Sequence, residues 1–204
     1  MRIVTAQELE SWLASGKVLE KDAKGPKVVA LESGLLLKIF RSRRHPFLAR
    51  LRPDARRFAE RATRLQQMGI QTPRIEEPFW VDKKRAVSAC LYAPLAGTPL
   101  DGQFRESRET FMAQLPELAA YILKLHQLGI YFRSLHLGNV LRTPDGGYGL
   151  IDFLDIRFKR APLGRLLVRR NFRHLQSYLQ RRKVENFPLD ELLEAYGAAS
   201  KASN

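Results

Sequence analysis

Tyr131-Phe132-Arg133-Ser134-Leu135-His136-Leu137-Gly138-Asn139-Val140, followed by Asp152-Phe153-Leu154, is the stretch on which the reading of this chain turns. It comes just after an apolar helical stripe, Leu115, Leu118, Ala119, Ile122, Leu123 and Leu125, that ends at Gly129. Two short strands follow, Val140–Arg142 and Tyr148–Phe153, joined by the turn sequence Pro144-Asp145-Gly146-Gly147. A hairpin of this length returns its ends to one another, so the Asn139 amide and the Asp152 carboxylate are expected side by side. Two oxygen ligands converging from neighbouring segments are what Mg2+ needs when it bridges phosphate oxygens.

Working outward, the residues before the stripe read differently. Thr5-Ala6-Gln7-Glu8 is a capping box opening a short helix that carries Leu9, Trp12 and Leu13 and stops at Gly16. Three strands are expected at Val18–Lys21, Lys27–Leu31 and Leu35–Phe40, with turns at Ala23-Lys24-Gly25-Pro26 and Glu32-Ser33-Gly34. Phe58, Ala62 and Leu65 step at helical spacing between Pro53 and Met68, with Gly69 as the cap. Arg74–Trp80 and Ala86–Tyr92 flank Asp82-Lys83-Lys84 as a further hairpin. Ala93-Pro94-Leu95-Ala96-Gly97-Thr98-Pro99 then reads as a hinge. Beyond the hairpin the chain is expected to be helical at Gly164–Gln180 and Leu189–Ala199. The expectation is an α+β chain: a small antiparallel β lobe with one inserted helix over 1–95, and a reduced α-helical lobe over 96–204.

The quoted loop resembles the kinase superfamily, whose protein kinases carry a catalytic loop H-R-D-x-x-x-x-N and a metal-binding D-F-G. Arg133 and Asn139 match the loop Arg and Asn, and Asp152 and Phe153 match the first two residues of D-F-G. The L-H-x-G-N wording is similar to the small bacterial branch of lipopolysaccharide-core sugar kinases. Phe132–Asn139 is most similar to bacterial toluene-tolerance proteins. The resemblance runs from about Val18 to Tyr178 and implies a two-lobe kinase-like fold, ATP and Mg2+ as cofactors, and Asn139 and Asp152 as metal ligands. It also implies that Lys38, a single polar residue inside Leu35-Leu36-Leu37-Lys38-Ile39-Phe40, holds ATP phosphates. Glu60, on the following helix, would then orient Lys38, and Gly25 would belong to the phosphate-covering loop. Read without the resemblance, Lys38 is an edge-strand lysine facing solvent and Glu60 one member of a salt-bridged helix face.

Three positions depart from the pattern. Ser134 stands where the catalytic Asp is expected, Leu154 replaces the glycine after Asp152-Phe153, and Gly25 is alone where three spaced glycines are expected. A neutral serine cannot accept a proton as a carboxylate does, and losing a general base costs roughly 10²–10⁴-fold in rate. His136 is the neighbouring group that can take over as acceptor. Asp155 reads as a stray carboxylate, a cap or an arginine partner.

The 204 residues hold 35 Lys+Arg against 21 Asp+Glu, a formal charge of +14 that predicts attraction to polyanions. Between Arg41 and Arg64 nine arginines face two acids, and from Ile156 to Val184 ten Arg/Lys face none. Leu166, Leu167, Phe172, Leu175 and Leu179 can form an apolar stripe opposite Arg165, Arg169, Arg170 and Arg173. A basic amphipathic helix of this kind suits an anionic inner-leaflet membrane surface or a phosphorylated lipopolysaccharide-core intermediate. Nucleic acid rests on charge alone, with no zinc finger, helix-turn-helix or paired aromatics to support it. The lone Cys90 excludes an internal disulfide and a multi-cysteine zinc site. No run approaches the ~18 apolar residues of a spanning helix, and the acid-bearing first residues do not read as a signal peptide. The expected location is therefore cytoplasmic, peripheral at the inner membrane. The leading reading is a Mg-ATP-dependent kinase of an inner-core sugar; the alternative is a pseudokinase that binds nucleotide or membrane without turnover.

Overall fold

The computed structural model describes residues 1–42 and 44–202. Among them the chain is α+β, with seven α-helices and an antiparallel sheet. Its residues fall into two compact units, Met1–Leu95 and a second beginning at Ala96.

In the first unit, α1 (Ala6–Ser15) is capped by Thr5, whose Oγ1 accepts from the Glu8 amide at 3.1 Å. β1 (Lys17–Asp22), β2 (Gly25–Ala30) and β3 (Leu36–Arg41) follow. Two helices, α2 (Pro46–Leu51) and α3 (Asp54–Gln67), come next, and β4 (Arg74–Asp82) and β5 (Val87–Ala93) complete the sheet. The strand order is β1-β2-β3-β5-β4, every neighbour antiparallel. Period-2 alternation sends Val29, Leu37, Ile39, Phe79 and Ala89 to one face, where Val4 and the α1 residues Leu9, Trp12 and Leu13 cover them. Gly16 has no room for a side chain there, since a Cβ would lie 2.4 Å from Val29 Cγ1. Lys38, Phe40, Ser88 and Cys90 share the alternate strand positions, and Phe40 meets Phe58 of α3 with ring centroids 5.4 Å apart. The buried residues of α3 are Asp54, Ala55, Phe58, Ala62 and Leu65. Two helices, α2 as well as α3, therefore sit between β3 and β4 where one was expected. His45 and Pro46 start α2, the His45 ring accepting from the Phe47 amide.

The second unit opens with β6 (Thr98–Pro99) and α4 (Leu100–Glu106), then the long α5 (Arg108–Gln127), capped by Ser107. Gly129 ends α5 at φ +72°, where a Cβ would stand 2.6 Å from the Lys159 carbonyl. β7 (Ile130–Tyr131) leads into the loop, and β8 (Val140–Arg142) and β9 (Tyr148–Leu150) form the hairpin. β10 (Arg157–Phe158) returns to pair with β7, so the two ends of the loop-and-hairpin segment are clamped together. α6 (Arg165–Arg181) and α7 (Leu189–Ala202) complete the unit. Phe111, Leu115, Leu118, Ile122 and Leu125 of α5 form its core with Phe132, Leu150, Phe153, Ile156, Leu175 and Leu192. In α6 the expected apolar stripe is core: Phe172, Leu175 and Leu179 are buried. Leu166, expected in that stripe, is instead 84% exposed. Arg165, Arg169, Arg170 and Arg173 of α6 are all exposed. No helix is long and apolar enough to cross a membrane among the described residues.

Candidate functional site

The site is built on the loop between β7 and β8 and on the end of β9. Burial of Phe132, Leu135 and Leu137 anchors the loop from below, while Arg133 is exposed and Ser134 and His136 are half-buried. A turn closes at each step, with the Leu135 amide donating to the Phe132 carbonyl and the Asn139 amide to the His136 carbonyl at 2.9 Å. The Ile151 amide donates to the Asn139 carbonyl at 3.0 Å, which fixes Asn139 beside the strand that delivers Asp152. The hairpin thus brings its two ends together.

Asn139 is buried, and its Nδ2 donates to the Ser134 carbonyl at 3.1 Å. That bond fixes which way the amide faces, leaving Oδ1 as its acceptor end. Asp152 is exposed and sits in the left-handed region at φ 50°, ψ 43°, heading a 3-10 turn over Phe153–Asp155. Asp is among the few residue types that enter that region at modest cost, and such backbone positions collect at functional sites. Leu154 lies inside the turn with ordinary negative φ, so the reversal falls on Asp152 and no glycine is needed at 154.

The 3-10 turn also decides the place of Asp155. Side chains three residues apart eclipse in such a turn, and Asp155 comes back toward the loop. Its Oδ2 accepts a hydrogen bond from Ser134 Oγ at 2.7 Å. Its Oδ1 is buried with no hydrogen-bond partner among the described residues. Burial holds the Asp155 carboxyl above the usual carboxylate range, opposed by the Ser134 bond and the Arg133 charge and reinforced by the nearby charge of Asp152. The sequence reading left Asp155 as a stray carboxylate; it is the carboxylate on Ser134. No local spacing pairs it with Ser134, twenty-one residues back, so the sequence held no signal for this contact.

His136 lies flat against Tyr178 of α6, ring centroids 4.0 Å apart and planes 4° from parallel. Burial lowers its pKa, against the charges of Asp152 and Asp101. Its Nδ1 has no hydrogen-bond partner among the described residues. A pocket of about 330 Å³ adjoins this stack, lined by Asp101, Phe104, Arg105, Leu137, Tyr178 and Arg182, among others.

A second polar chain supports the loop from behind. Tyr196 OH meets His126 Nδ1 at 2.9 Å, His126 Nε2 meets Asn171 Oδ1 at 3.1 Å, and Asn171 Nδ2 donates to the Phe132 carbonyl at 2.6 Å. Because Asn171 Oδ1 can only accept, His126 carries its proton on Nε2 and accepts at Nδ1 from the tyrosine. Burial pushes the His126 pKa down to about 4, which keeps it neutral. Sequence reading had no signal for this chain, since its members lie on three separate helices.

In the first unit Lys38 is 6% exposed on β3, the middle strand, paired with Val28 and Cys90. It is therefore not an edge lysine facing solvent. Its Nζ stands 5.1 Å from the Phe58 ring centroid and 5.8 Å from that of Phe40, within cation–π range. Burial pushes the Cys90 thiol up to about 12, against the nearby Lys38 charge. Glu60 corrects an expectation: it is exposed, and its carboxylate pairs with Arg52 at 2.7 Å and Arg56 at 3.1 Å. Those arginines, Arg52 first, hold its pKa below the usual range. At 100° per residue, Glu60 is turned some 200° from Phe58, and it is Phe58 that takes the sheet-facing place. Gly25 begins β2 at φ +109°, opposite Asp22, and closes the β1–β2 hairpin. Arg41 donates to the Pro26 carbonyl at 2.9 Å beside it.

The donors suit a magnesium ion in a limited way. Asn139 Oδ1 and the Asp152 carboxylate are the hard oxygen pair that Mg2+ takes when waters and substrate phosphates complete its shell. No group of three His, Cys, Asp or Glu side chains that could hold a metal occurs among the described residues. No protein-family model matches the chain, and the search of curated proteins finds no match.

Proposed function

We propose that this protein is a kinase-like phosphotransferase that uses Mg-ATP and in which Ser134 and Asp155 together replace the missing catalytic carboxylate. The observation that carries the reading is the 2.7 Å hydrogen bond from Ser134 Oγ to Asp155 Oδ2, at the position where the resemblance calls for a base. A half-buried carboxylate with a raised pKa is matched to proton acceptance near neutral pH better than an exposed one.

Asn139 and Asp152 would hold Mg2+, which when bound offsets charge on the phosphate oxygens. Lys38, buried on β3, is assigned to the nucleotide phosphates. The acceptor hydroxyl oxygen forms a bond to the γ-phosphorus as the bond from that phosphorus to the ADP oxygen breaks. The acceptor's proton passes to Ser134 Oγ while the serine's own proton passes to Asp155 Oδ2. Ser134 ends neutral, Asp155 ends protonated, and ADP leaves with the bonding electrons. The transition state of such transfers is largely dissociative, so positioning carries more of the rate than the base. Burial raises the Asp155 pKa, and the Ser134 hydrogen bond and then the Arg133 charge oppose that rise.

The resemblance points to an inner-core sugar of lipopolysaccharide as acceptor, and Arg105 and Arg182 in the 330 Å³ pocket suit its phosphates by their planar forks. Attraction to an anionic inner-leaflet surface fits the exposed Arg170 and Arg181 of α6 and would be purely electrostatic, because Phe172, Leu175 and Leu179 are packed inside. The test is transfer of labelled γ-phosphate to phosphorylated core oligosaccharide by the wild type and by Asp155→Asn. The pseudokinase reading gains ground only if nucleotide binds tightly and no phosphate moves.

A further inference from the structure

A larger cavity lies elsewhere in the second unit. It has a volume of about 770 Å³, within the range of small-molecule sites, and opens between α6 and α7 over α5. Val168 and Phe172 of α6, Leu123 of α5 and Leu193 of α7 give it an apolar lining. Arg165, Arg169 and Arg173 stand along one wall at intervals of one turn. All three are exposed, and no carboxylate pairs with any of them among the described residues. Asp190 is the one acid in the lining, so the wall has an excess of two positive charges. The α6 N-terminus adds to it: Gly164 caps without a side chain and the first turn holds no acid.

We propose that this cavity binds a soluble phosphorylated amphiphile, with its phosphate on the arginine row and its apolar body against Leu123, Val168, Phe172 and Leu193. A carboxylate would leave one of the excess charges unmet, whereas a phosphate monoester at about −1.5 to −2 balances both. Three guanidinium forks also match its several oxygens. A ligand that is only apolar leaves the arginine row without purpose, and one that is only anionic leaves the apolar lining exposed. The proposal does not depend on phosphotransfer, for the cavity shares no residue with the 131–155 segment.

Calorimetric titration of the whole protein with octyl phosphate tests it, with inorganic phosphate and octyl glucoside as the head-only and tail-only probes. Octyl phosphate is expected to bind saturably at one site and at least about tenfold more tightly than either half. R169Q/R173Q should lose about that factor while melting like the wild type, since both residues are exposed. Val168→Asp, which puts a like charge beside the phosphate, should weaken octyl phosphate even if R169Q/R173Q melts early. Equal binding of octyl glucoside would reduce the cavity to an apolar hollow and overturn the proposal. Binding to phosphatidylglycerol vesicles without binding of octyl phosphate would also overturn it, by assigning the arginines to a membrane surface.

Discussion

Ser134 and Asp155, twenty-one residues apart, are joined by a 2.7 Å hydrogen bond across the two ends of the hairpin segment. The contact exists because β7 pairs with β10 and because Asp152 turns the chain into a 3-10 turn that presents Asp155 backwards. It places a carboxylate one hydroxyl away from where the loop lacks one.

Asp155→Asn keeps an acceptor for Ser134 but cannot take a proton, so turnover should fall by roughly 10²–10⁴-fold. Stability should move the other way. Burial raises the folded carboxyl pKa, so its contribution is fully present below the unfolded value and is lost as pH rises through the folded one. The uncharged Asn avoids that loss. At pH 7 the variant should melt no lower than the wild type in a thermal scan.

His126 gives a pH signature of the opposite sign. The unfolded imidazole binds its proton near 6.5 and the folded one only near 4. Its contribution is therefore fully present above pH 6.5 and falls as pH drops through the window to about 4. The two values correspond to an order of 3 kcal/mol at most. Urea melts between pH 7 and 4.5 should show the wild type losing more stability than His126→Gln over this range.

Asn171→Ala removes the amide that holds the Phe132 carbonyl at 2.6 Å and leaves His126 Nε2–H without its acceptor. A buried donor left unmet costs about 1–3 kcal/mol. Melting should drop accordingly, and hydrogen exchange should rise at Leu135, whose amide bonds the same carbonyl.

Glu60→Gln should be close to silent. Its pairs with Arg52 and Arg56 are solvent-exposed, and such pairs contribute about 0–1 kcal/mol. Nucleotide affinity, read by a Mg-ATP titration, should be unchanged. A large loss would restore Glu60 to the role that the resemblance gives it.

Much of this architecture was legible because alternation and helical spacing are local. The five strands of the sheet come within a residue or two of their expected bounds, and the hairpin ends meet as the turn sequence implies. α2 was missed because Pro46–Leu51 is too short to establish a period, and α4 because Leu100–Glu106 has one buried residue. Lys38 stood out as one polar residue in an apolar run, but its middle-strand place needed the strand order, which no local pattern carries. Glu60 misled because helix position within a turn or two was taken for the facing side, when Phe58 holds that side. Asp155 was overlooked since its partner is set by a left-handed φ at Asp152, and Asp gives no sequence sign of adopting it.

The central claim is tested most directly by steady-state transfer of the labelled γ-phosphate of ATP to phosphorylated core oligosaccharide in the presence of Mg2+. The account predicts transfer by the wild type, loss of it in Lys38→Ala and Asp152→Asn, and a drop of roughly 10²–10⁴-fold in Asp155→Asn. Tight Mg-ATP binding by the wild type with no phosphate transferred to any core acceptor would contradict it.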